Sequence, residues 1–139
     1  MRLQASSING SAKQVLPALC LVTDNVGDAI YVHGPRIGTY FQVTRLNIDD
    51  MVSVPSLGII IQKIDTTHCL VQLRGLVSGI YTGLTPNQQL FVDTTGRLTH
   101  LIPPAPTPSI GKRCIQTMGY ALDVAVFYLD PKSPIIRVS

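Results

Sequence analysis

The sequence is arranged around the stretch Gly79-Ile-Tyr-Thr-Gly-Leu-Thr-Pro-Asn-Gln-Gln-Leu-Phe-Val-Asp-Thr-Thr-Gly-Arg-Leu-Thr99, which predicts two turns separated by a short strand. Pro86 fixes φ near the value that the second position of a turn requires, and Asn87 tolerates positive φ. Residues 90–92 are a short run of β-favouring side chains, and Asp93-Thr-Thr-Gly96 has the length and chemistry of a hairpin loop. The stretch therefore predicts a turn, a strand and a hairpin in the middle of a β-sheet.

Strand patterns lie on both sides of this stretch. Residues 57–64 and 68–77 predict a β-hairpin, and consecutive apolar residues around Ile60 are expected of a strand covered on both faces. Gly119 is expected at a β-bulge or a close approach. A single helical turn is compatible with residues 46–55, and the proline-rich residues 101–111 predict an extended surface loop. Further strands are predicted at residues 18–22, 29–32, 40–45, 112–120 and 124–129.

The composition favours an all-β domain with few charges. The acidic residues are all Asp, and only four Lys occur, whereas Glu and Lys are strong helix formers. Val, Ile, Thr and Tyr, which favour strands, are plentiful. Charged residues make up 14% of the chain, against about 25% in an average soluble protein. So few charges leave apolar surface on a small domain, and we expect a partner to cover part of it.

We expect one β-domain, residues 18–130, between two extended arms. Residues 1–17 are the predicted N-terminal arm, because residues 1–14 are polar, rich in Ser, Asn and Gly, and show neither helical nor strand periodicity. Residues 131–139 are the predicted C-terminal tail, because their prolines end regular structure. Neither arm is expected to bury its apolar side chains against its own domain, so ordering is expected on a partner's surface. The apolar side chains meant here are Leu3 and Ile8 within residues 1–14, and Ile135 and Ile136 in the tail.

No motif in the sequence specifies catalysis, a cofactor or a metal. Phosphate-binding loops, dinucleotide fingerprints, nucleophile elbows and metal-finger spacings do not occur. Asp93-Thr-Thr-Gly96 has one residue more than the Asp-Thr-Gly motif of aspartic proteases, so Asp93 is predicted to be a loop residue. His68 and Cys69 are adjacent in a predicted strand and point to opposite faces, which argues against a cysteine nucleophile. We predict that the protein is not an enzyme.

The cysteines and the N-terminal region bear on the compartment. Cys20, Cys69 and Cys114 form no Cys-x-x-Cys pair and leave one thiol over in any pairing, so we expect three reduced thiols with Cys69 buried. Residues 15–22 are too short an apolar run for a membrane span and contain Pro17, so no membrane partner is predicted. The basic residues are scattered without a stripe, so no nucleic-acid partner is predicted.

One run of the sequence resembles a family of virion proteins. Its parts are Val71-Gln-Leu-Arg-Gly75, Gly83-Leu-Thr-Pro86, Leu90-Phe-Val-Asp93, Gly96-Arg-Leu-Thr99 and, after the proline-rich loop, Ile115-Gln-Thr-Met-Gly-Tyr-Ala-Leu122. Over residues 71–129 this order is similar to that of tailed-phage capsid decoration (cement) proteins, and residues 18–32 fit the family's opening strands more loosely. Asn87 stands where the family usually has glycine, and Asn can hold the same backbone conformation. Phage head-fibre, neck and tail-fibre domains contain similar runs.

The resemblance implies a single all-β barrel or jelly-roll-like β-sandwich domain without catalytic activity. Such a protein forms a homo-oligomer, a dimer or trimer, and binds the major capsid protein on the outside of the virion after synthesis in the host cytoplasm. In this interpretation the capsid contacts are expected at Leu3, Ile8, Ile135, Ile136 and Arg137. The alternative is a receptor- or glycan-binding fibre or spike domain, which would present an exposed aromatic cleft. A small all-β enzyme is the third hypothesis.

Overall fold

The computed structural model describes residues 13–139, and these residues form eleven strands and no helix. The strands are β1 (Lys13–Leu19), β2 (Ala29–Ile37), β3 (Tyr40–Arg45), β4 (Gly58–Lys63), β5 (His68–Ser78), β6 (Gln89–Val92), β7 (Leu98–Thr99), β8 (Lys112–Ile115), β9 (Thr117–Asp123), β10 (Val126–Leu129) and β11 (Ile135–Val138). The predicted all-β class is confirmed. Residues 46–55, where the sequence allows a helical turn, form non-helical turns.

The first five strands close into a small barrel. β1 pairs in parallel with β3, β3 pairs with β2, β2 with β4 and β4 with β5, and β5 returns to β1 in antiparallel pairing. The order of neighbours thus ends where it began, which is the condition for a closed sheet. Every strand of the ring contributes to one buried cluster, which we call the barrel core. Its members are Ala18, Cys20, Ile30, Val43, Ile60, Cys69 and Val71.

A second layer extends the sheet beyond the barrel. The end of β5 pairs with β10, and the sheet continues through β9 and β6 to β7. A second buried cluster joins this layer to β2, β4 and the turns after β3, and we call it the outer core. It comprises Ala29, Leu46, Ile48, Ile59, Val77, Leu84, Leu90, Val92, Leu98, Cys114, Met118, Ala121, Phe127 and Leu129. β4 contributes to both cores, which confirms that this strand is covered on both faces.

Two backbone positions behave as their residue types predict. Asn87 has φ of 71° in the turn before β6, the conformation that the turn chemistry requires. Gly119 has φ of 142°, and a Cβ atom at this position would overlap the carbonyl oxygen of Tyr128 on the neighbouring strand. The pairing of β6 with β9 shifts register beside it. Gly119 is therefore both a close approach and part of an irregularity, as predicted.

The ends of the domain differ from the predicted boundaries. β1 begins at Lys13, inside the predicted arm. Its backbone pairs with β5 from Leu19 back to Lys13, which is the partner of Gly75, and the pairing includes Pro17. The predicted strand 112–120 is divided at Gln116, whose side-chain amide donates to the carbonyl oxygens of Ser56 and Lys132. The C-terminal tail was expected to lack regular structure. It instead contains β11, which pairs with β8 in a separate two-stranded sheet.

Candidate interaction surfaces

Three of the five predicted capsid-contact residues lie together on β11. Ile135, Ile136 and Arg137 are consecutive there, and every residue of this strand, including Val138, is exposed. Leu3 and Ile8 lie outside the described residues. We call the antiparallel pair of strands that carries the three residues the β8–β11 ribbon. It presents apolar side chains to solvent on regular secondary structure, whereas the sequence predicts them on an irregular tail.

Arginine side chains fix the ribbon to the proline-rich loop beside it. The guanidinium group of the buried Arg113 donates from Nε and Nη2 to the carboxylate of Asp49, at 2.7 and 3.1 Å, and from Nη1 to the carbonyl oxygen of Pro104 at 3.0 Å. The hydrogen bonds to Asp49 raise the pKa of Arg113. Arg137 donates from Nη1 to the carbonyl oxygen of Pro103, also at 3.0 Å. The loop is therefore held by both strands of the ribbon.

A second exposed apolar surface lies on the outer side of β5, β10 and β9. Tyr128 is directly opposite Leu76 on one neighbouring strand and Tyr120 on the other, so these three side chains form a row on one side of the sheet. The rings of Tyr120 and Tyr128 have centroids 5.8 Å apart. Leu76 and Tyr120 are 49% and 45% exposed, whereas neighbouring Val77 and Ala121 point into the outer core. We call this row the tyrosine face.

Charged side chains border the tyrosine face at one end. Arg74 lies 3.5 Å from the carboxylate of Asp130, which Lys132 also contacts at 2.7 Å. A hydrogen bond with Tyr128 and the charge of Asp130 raise the pKa of Arg74. A cleft of about 380 Å³ opens beside this group, between β1, the turn before β4, β5 and residues 130–134. Because all of these charges are near solvent, the ion pairs contribute little to stability.

Asp93 is used by its own hairpin loop. Its Oδ1 atom accepts hydrogen bonds from the backbone N–H of Thr95 at 2.8 Å, the hydroxyl of Thr95 at 2.6 Å and the backbone N–H of Arg97 at 3.1 Å. These bonds make Asp93 the residue that closes the loop, as predicted.

His68 lies at a strand end, where its Nδ1 atom is 2.9 Å from Oδ1 of Asp65. Hydrogen bonds from Thr67 and His68 lower the pKa of that carboxyl group.

The three cysteines are free and buried, and the prediction that Cys69 is buried is confirmed. Burial, together with the neighbouring thiol of Cys20, raises the pKa of Cys69 to about 12, and burial raises the pKa of Cys114 to about 11. All of these shifts favour the neutral thiol. The proximity of Cys20 to Cys69 was not predicted, because it depends on the pairing of β1 with β5, which begins in a segment predicted as an arm.

The tyrosine face was also not predicted, although the sequence contains a signal for it. Tyr120 and Leu122 alternate with the buried Ala121, and Tyr128 alternates with the buried Phe127 and Leu129. This alternation identifies one outward side for each strand. Only the register of β9, β10 and β5 shows that the outward side chains meet in one row.

Within residues 13–139, no cluster of three or more potential metal-ligating side chains occurs, and no helix has the length and apolar character needed to cross a bilayer. A scan against models of protein families and searches of curated proteins and of solved structures give no match to this chain.

Proposed function

We propose that this protein is a structural virion protein of a tailed phage, a decoration (cement) protein that binds the outside of the assembled head. The proposal starts from the resemblance carried by residues 71–129. In the structure these residues supply β5 through β10, which include the whole outer layer of the sheet. The resemblance therefore covers a continuous structural unit, and its turn residues occupy the turns that their chemistry requires, as at Asn87.

The observation that carries the proposal is the presence of two separate exposed apolar surfaces on one small domain. The β8–β11 ribbon exposes Ile135 at 70% and Val138 at 63%, and the tyrosine face exposes Leu76 and Tyr120. Both surfaces lie on paired strands, so a partner can bind them without first ordering the backbone. A protein that bridges subunits of a shell needs one surface for the shell and gains from a second surface for its own copies.

Such binding stabilises a capsid by mass action. A protein that binds the assembled shell, and not its separated subunits, shifts the equilibrium toward the shell. A homo-oligomer formed through the tyrosine face would present several ribbons at once. Linked ribbons raise the effective concentration of each further contact, so that weak single contacts give durable decoration. In this proposal the protein has no catalytic activity and acts only by binding.

The test is to mix the purified protein with undecorated capsids of the phage that encodes it and to image the particles. We expect regular density on the outer surface and a higher temperature of capsid disruption. Ile135→Asp should remove most of the density, because it places a charge on the ribbon. Val22→Asp is the matched control, since Val22 is 65% exposed in the connection between β1 and β2 and belongs to neither ribbon strand. Bare capsids after incubation with the unaltered protein would overturn the proposal.

A second candidate function, a receptor- or glycan-binding fibre domain, is favoured by the two tyrosines of the tyrosine face. Aromatic rings bind the apolar faces of sugars, and Arg74 beside Tyr128 could donate hydrogen bonds to hydroxyl groups. If this function is correct, Tyr120→Ala would abolish binding to a glycan array. If the protein is a decoration protein, the same change would reduce decoration only to the extent that it dissociates the oligomer. The face is a flat row on a sheet, and for this reason we place the decoration function first.

A further inference from the structure

We infer that the open edge of β11 docks an extended segment of another protein by β-strand addition, and that this segment carries a carboxylate opposite Arg137. The inference deepens the proposed function and rests on it in one respect, namely that the capsid shell supplies the segment.

The backbone register shows which groups of β11 are available. Ser139 donates its N–H to the carbonyl oxygen of Gly111, in the same register that pairs Arg137 with Arg113. Hydrogen-bonded and non-hydrogen-bonded pairs alternate in antiparallel strands, so the N–H and C=O groups of Ile136 and Val138 point away from β8. Among residues 13–139, no backbone hydrogen bond from outside the ribbon reaches these groups.

The side chains of β11 do not block the edge. Soluble proteins protect exposed edges with lysine, proline, bulges or covering loops. Ile135, Ile136 and Val138 are instead β-branched and apolar, and the strand has no bulge in its pairing with β8. The single charge, Arg137, is directed to the carbonyl oxygen of Pro103. Among residues 13–139, the side chains of β11 therefore leave its edge open to an incoming strand, with apolar side chains on either side of the ribbon.

The inner strand holds this edge in place. Cys114 of β8 is buried and donates its N–H to the carbonyl oxygen of Ile48 at 2.7 Å, on the side opposite to β11. Arg113 binds Asp49 through two hydrogen bonds. β8 is thus anchored to the domain and holds β11, whose edge is open, in place. This anchoring lowers the entropic cost of docking a partner.

The charges of the ribbon indicate what the partner carries. Lys112, Arg113 and Arg137 are the charged residues of β8 and β11, and Asp49 neutralises Arg113. Lys112 is paired with Val138 and therefore lies on the opposite face of the ribbon from Arg137. An acidic residue opposite Arg137 in the partner strand complements the charge of Arg137. A second copy of β11 fits less well, because this strand contains no acidic residue. The antiparallel register that would pair Ile136 with Val138 of the other copy places the two Arg137 side chains directly opposite each other, and like charges in this position are destabilising.

A peptide experiment tests the inference without capsids. The probe is a short synthetic peptide with blocked ends, in which valine alternates with threonine and one central threonine is replaced by aspartate. Titrated into the labelled protein and followed by NMR, it should shift the amide signals of Ile136 and Val138. Val138→Pro, which removes one outward N–H and leaves the pairing with β8 intact, should weaken binding about tenfold. Val138→Thr, which keeps the N–H and the branched side chain, should bind as the unaltered protein does.

The same peptide with lysine in place of aspartate tests the charge. It should bind about fivefold more weakly, since its lysine meets Arg137 with a like charge. Equal binding of the two peptides, absence of shifts at Ile136 and Val138, or unchanged binding to Val138→Pro would overturn the inference. Self-association that Val138→Pro abolishes would also overturn it, because a second copy would then occupy the edge.

The capsid arm separates this inference from the proposed function. If the unaltered protein decorates capsids, Val138→Pro should remove most of the decoration and Val138→Thr should not. Decoration that Val138→Pro leaves intact would overturn strand addition to the shell while supporting the decoration function. Binding of the acidic peptide by a protein that never decorates capsids would support the docking edge and overturn the decoration function.

Discussion

Ile59 and Ile60 are neighbours in β4, yet their side chains enter two different hydrophobic cores. Ile59 belongs to the outer core and Ile60 to the barrel core, and neither side chain is exposed. Successive side chains of a strand point to opposite faces, so β4 is a wall shared by the barrel and the outer layer. Consecutive isoleucines here are explained within one chain and do not require a partner. The exposed side chains of the tyrosine face are therefore the feature that favours an oligomer.

Because β4 is shared by the two cores, both isoleucines should contribute to the stability of the whole domain. Ile59→Ala and Ile60→Ala should each lower the free energy of unfolding by about 2–5 kcal/mol, because each leaves a cavity in a buried cluster. Ile64→Ala is the matched control, since Ile64 is 58% exposed, and it should cost less than about 1 kcal/mol. Urea titrations measure all three values. If Ile59→Ala cost no more than the control, the outer core would not depend on β4.

Gly119 should be among the least replaceable residues of the sheet. Gly119→Ala should lower the free energy of unfolding by more than about 3 kcal/mol, because the added methyl group overlaps the carbonyl oxygen of Tyr128 and forces β9 away from β10. Gly83→Ala is the control: its φ is also positive, at 72°, but its Cβ would meet nothing within 4 Å. Its cost should be about 1 kcal/mol. Equal losses in thermal unfolding would contradict the close approach as the cause.

Local patterns predicted much of the sheet. The strand at residues 40–45 was predicted with the bounds that β3 has, and the hairpin of β4 and β5 was placed within two residues at each end. Alternation and turn residues are local signals, so they identify such elements without tertiary information. The Asp93 loop and the bulge region at Gly119 were predicted for the same reason.

Tertiary pairing decides what the patterns missed. Pro17 suggested that no strand continues through this position, because proline has no N–H to donate. In β1, however, the edge that faces β3 pairs only at Ala18 and Leu19, so no backbone donor is needed there at Pro17. Gln116 interrupts a uniform β pattern because its amide joins the turn at Ser56 to Lys132. The β8–β11 ribbon and the row of the tyrosine face likewise depend on contacts between residues far apart in the sequence, which periodicity does not encode.

The raised pKa of Cys69 predicts a loss of stability in alkali. An unfolded thiol has its ordinary pKa of 9.0, whereas burial raises the pKa of the folded thiol to about 12. The stabilising contribution is fully present below pH 9 and is lost as the pH rises toward 12, because the unfolded state releases its proton first. Urea titrations at pH 8 and pH 10.5 should show this loss, and Cys69→Ala should show a smaller one. Equal losses in the two proteins would assign the effect to other groups.

The two arginines of the ribbon should differ in their importance. Arg113→Ala should lower the free energy of unfolding by about 3 kcal/mol, because Asp49 would be left without its charge partner in a poorly solvated position. Arg137→Ala removes one hydrogen bond to the loop from an exposed side chain, and it should cost about 1 kcal/mol or less. Thermal unfolding compares the two variants. If the exposed arginine proved the more important one, the ribbon would be held by the loop and not by Asp49.

Asp93→Asn should leave the fold nearly unchanged. The amide oxygen of asparagine can accept the hydrogen bonds from Thr95 and Arg97 that Oδ1 of Asp93 accepts, so we expect a cost of at most about 1 kcal/mol. Asp93→Ala removes the acceptor and should cost more, about 1–2 kcal/mol. Urea titrations of both variants measure the difference. Loss of an assayed activity in Asp93→Asn, with the fold intact, would bring the enzyme hypothesis forward.

The tyrosine face should be the surface through which copies of the protein associate. Leu76, Tyr120 and Tyr128 form a continuous row on paired strands, and a contact between two such rows buries apolar side chains without reordering the backbone. We expect a dimer or trimer in sedimentation at micromolar concentration. Leu76→Lys and Tyr120→Lys should each shift the protein to monomer with little change in Tm, because lysine is tolerated on exposed strands and repels its copy across an interface. Val22→Lys, on an exposed turn, should leave the oligomer intact. A monomer before any substitution would contradict association through the tyrosine face, and the glycan-binding function would then be the one to test on it.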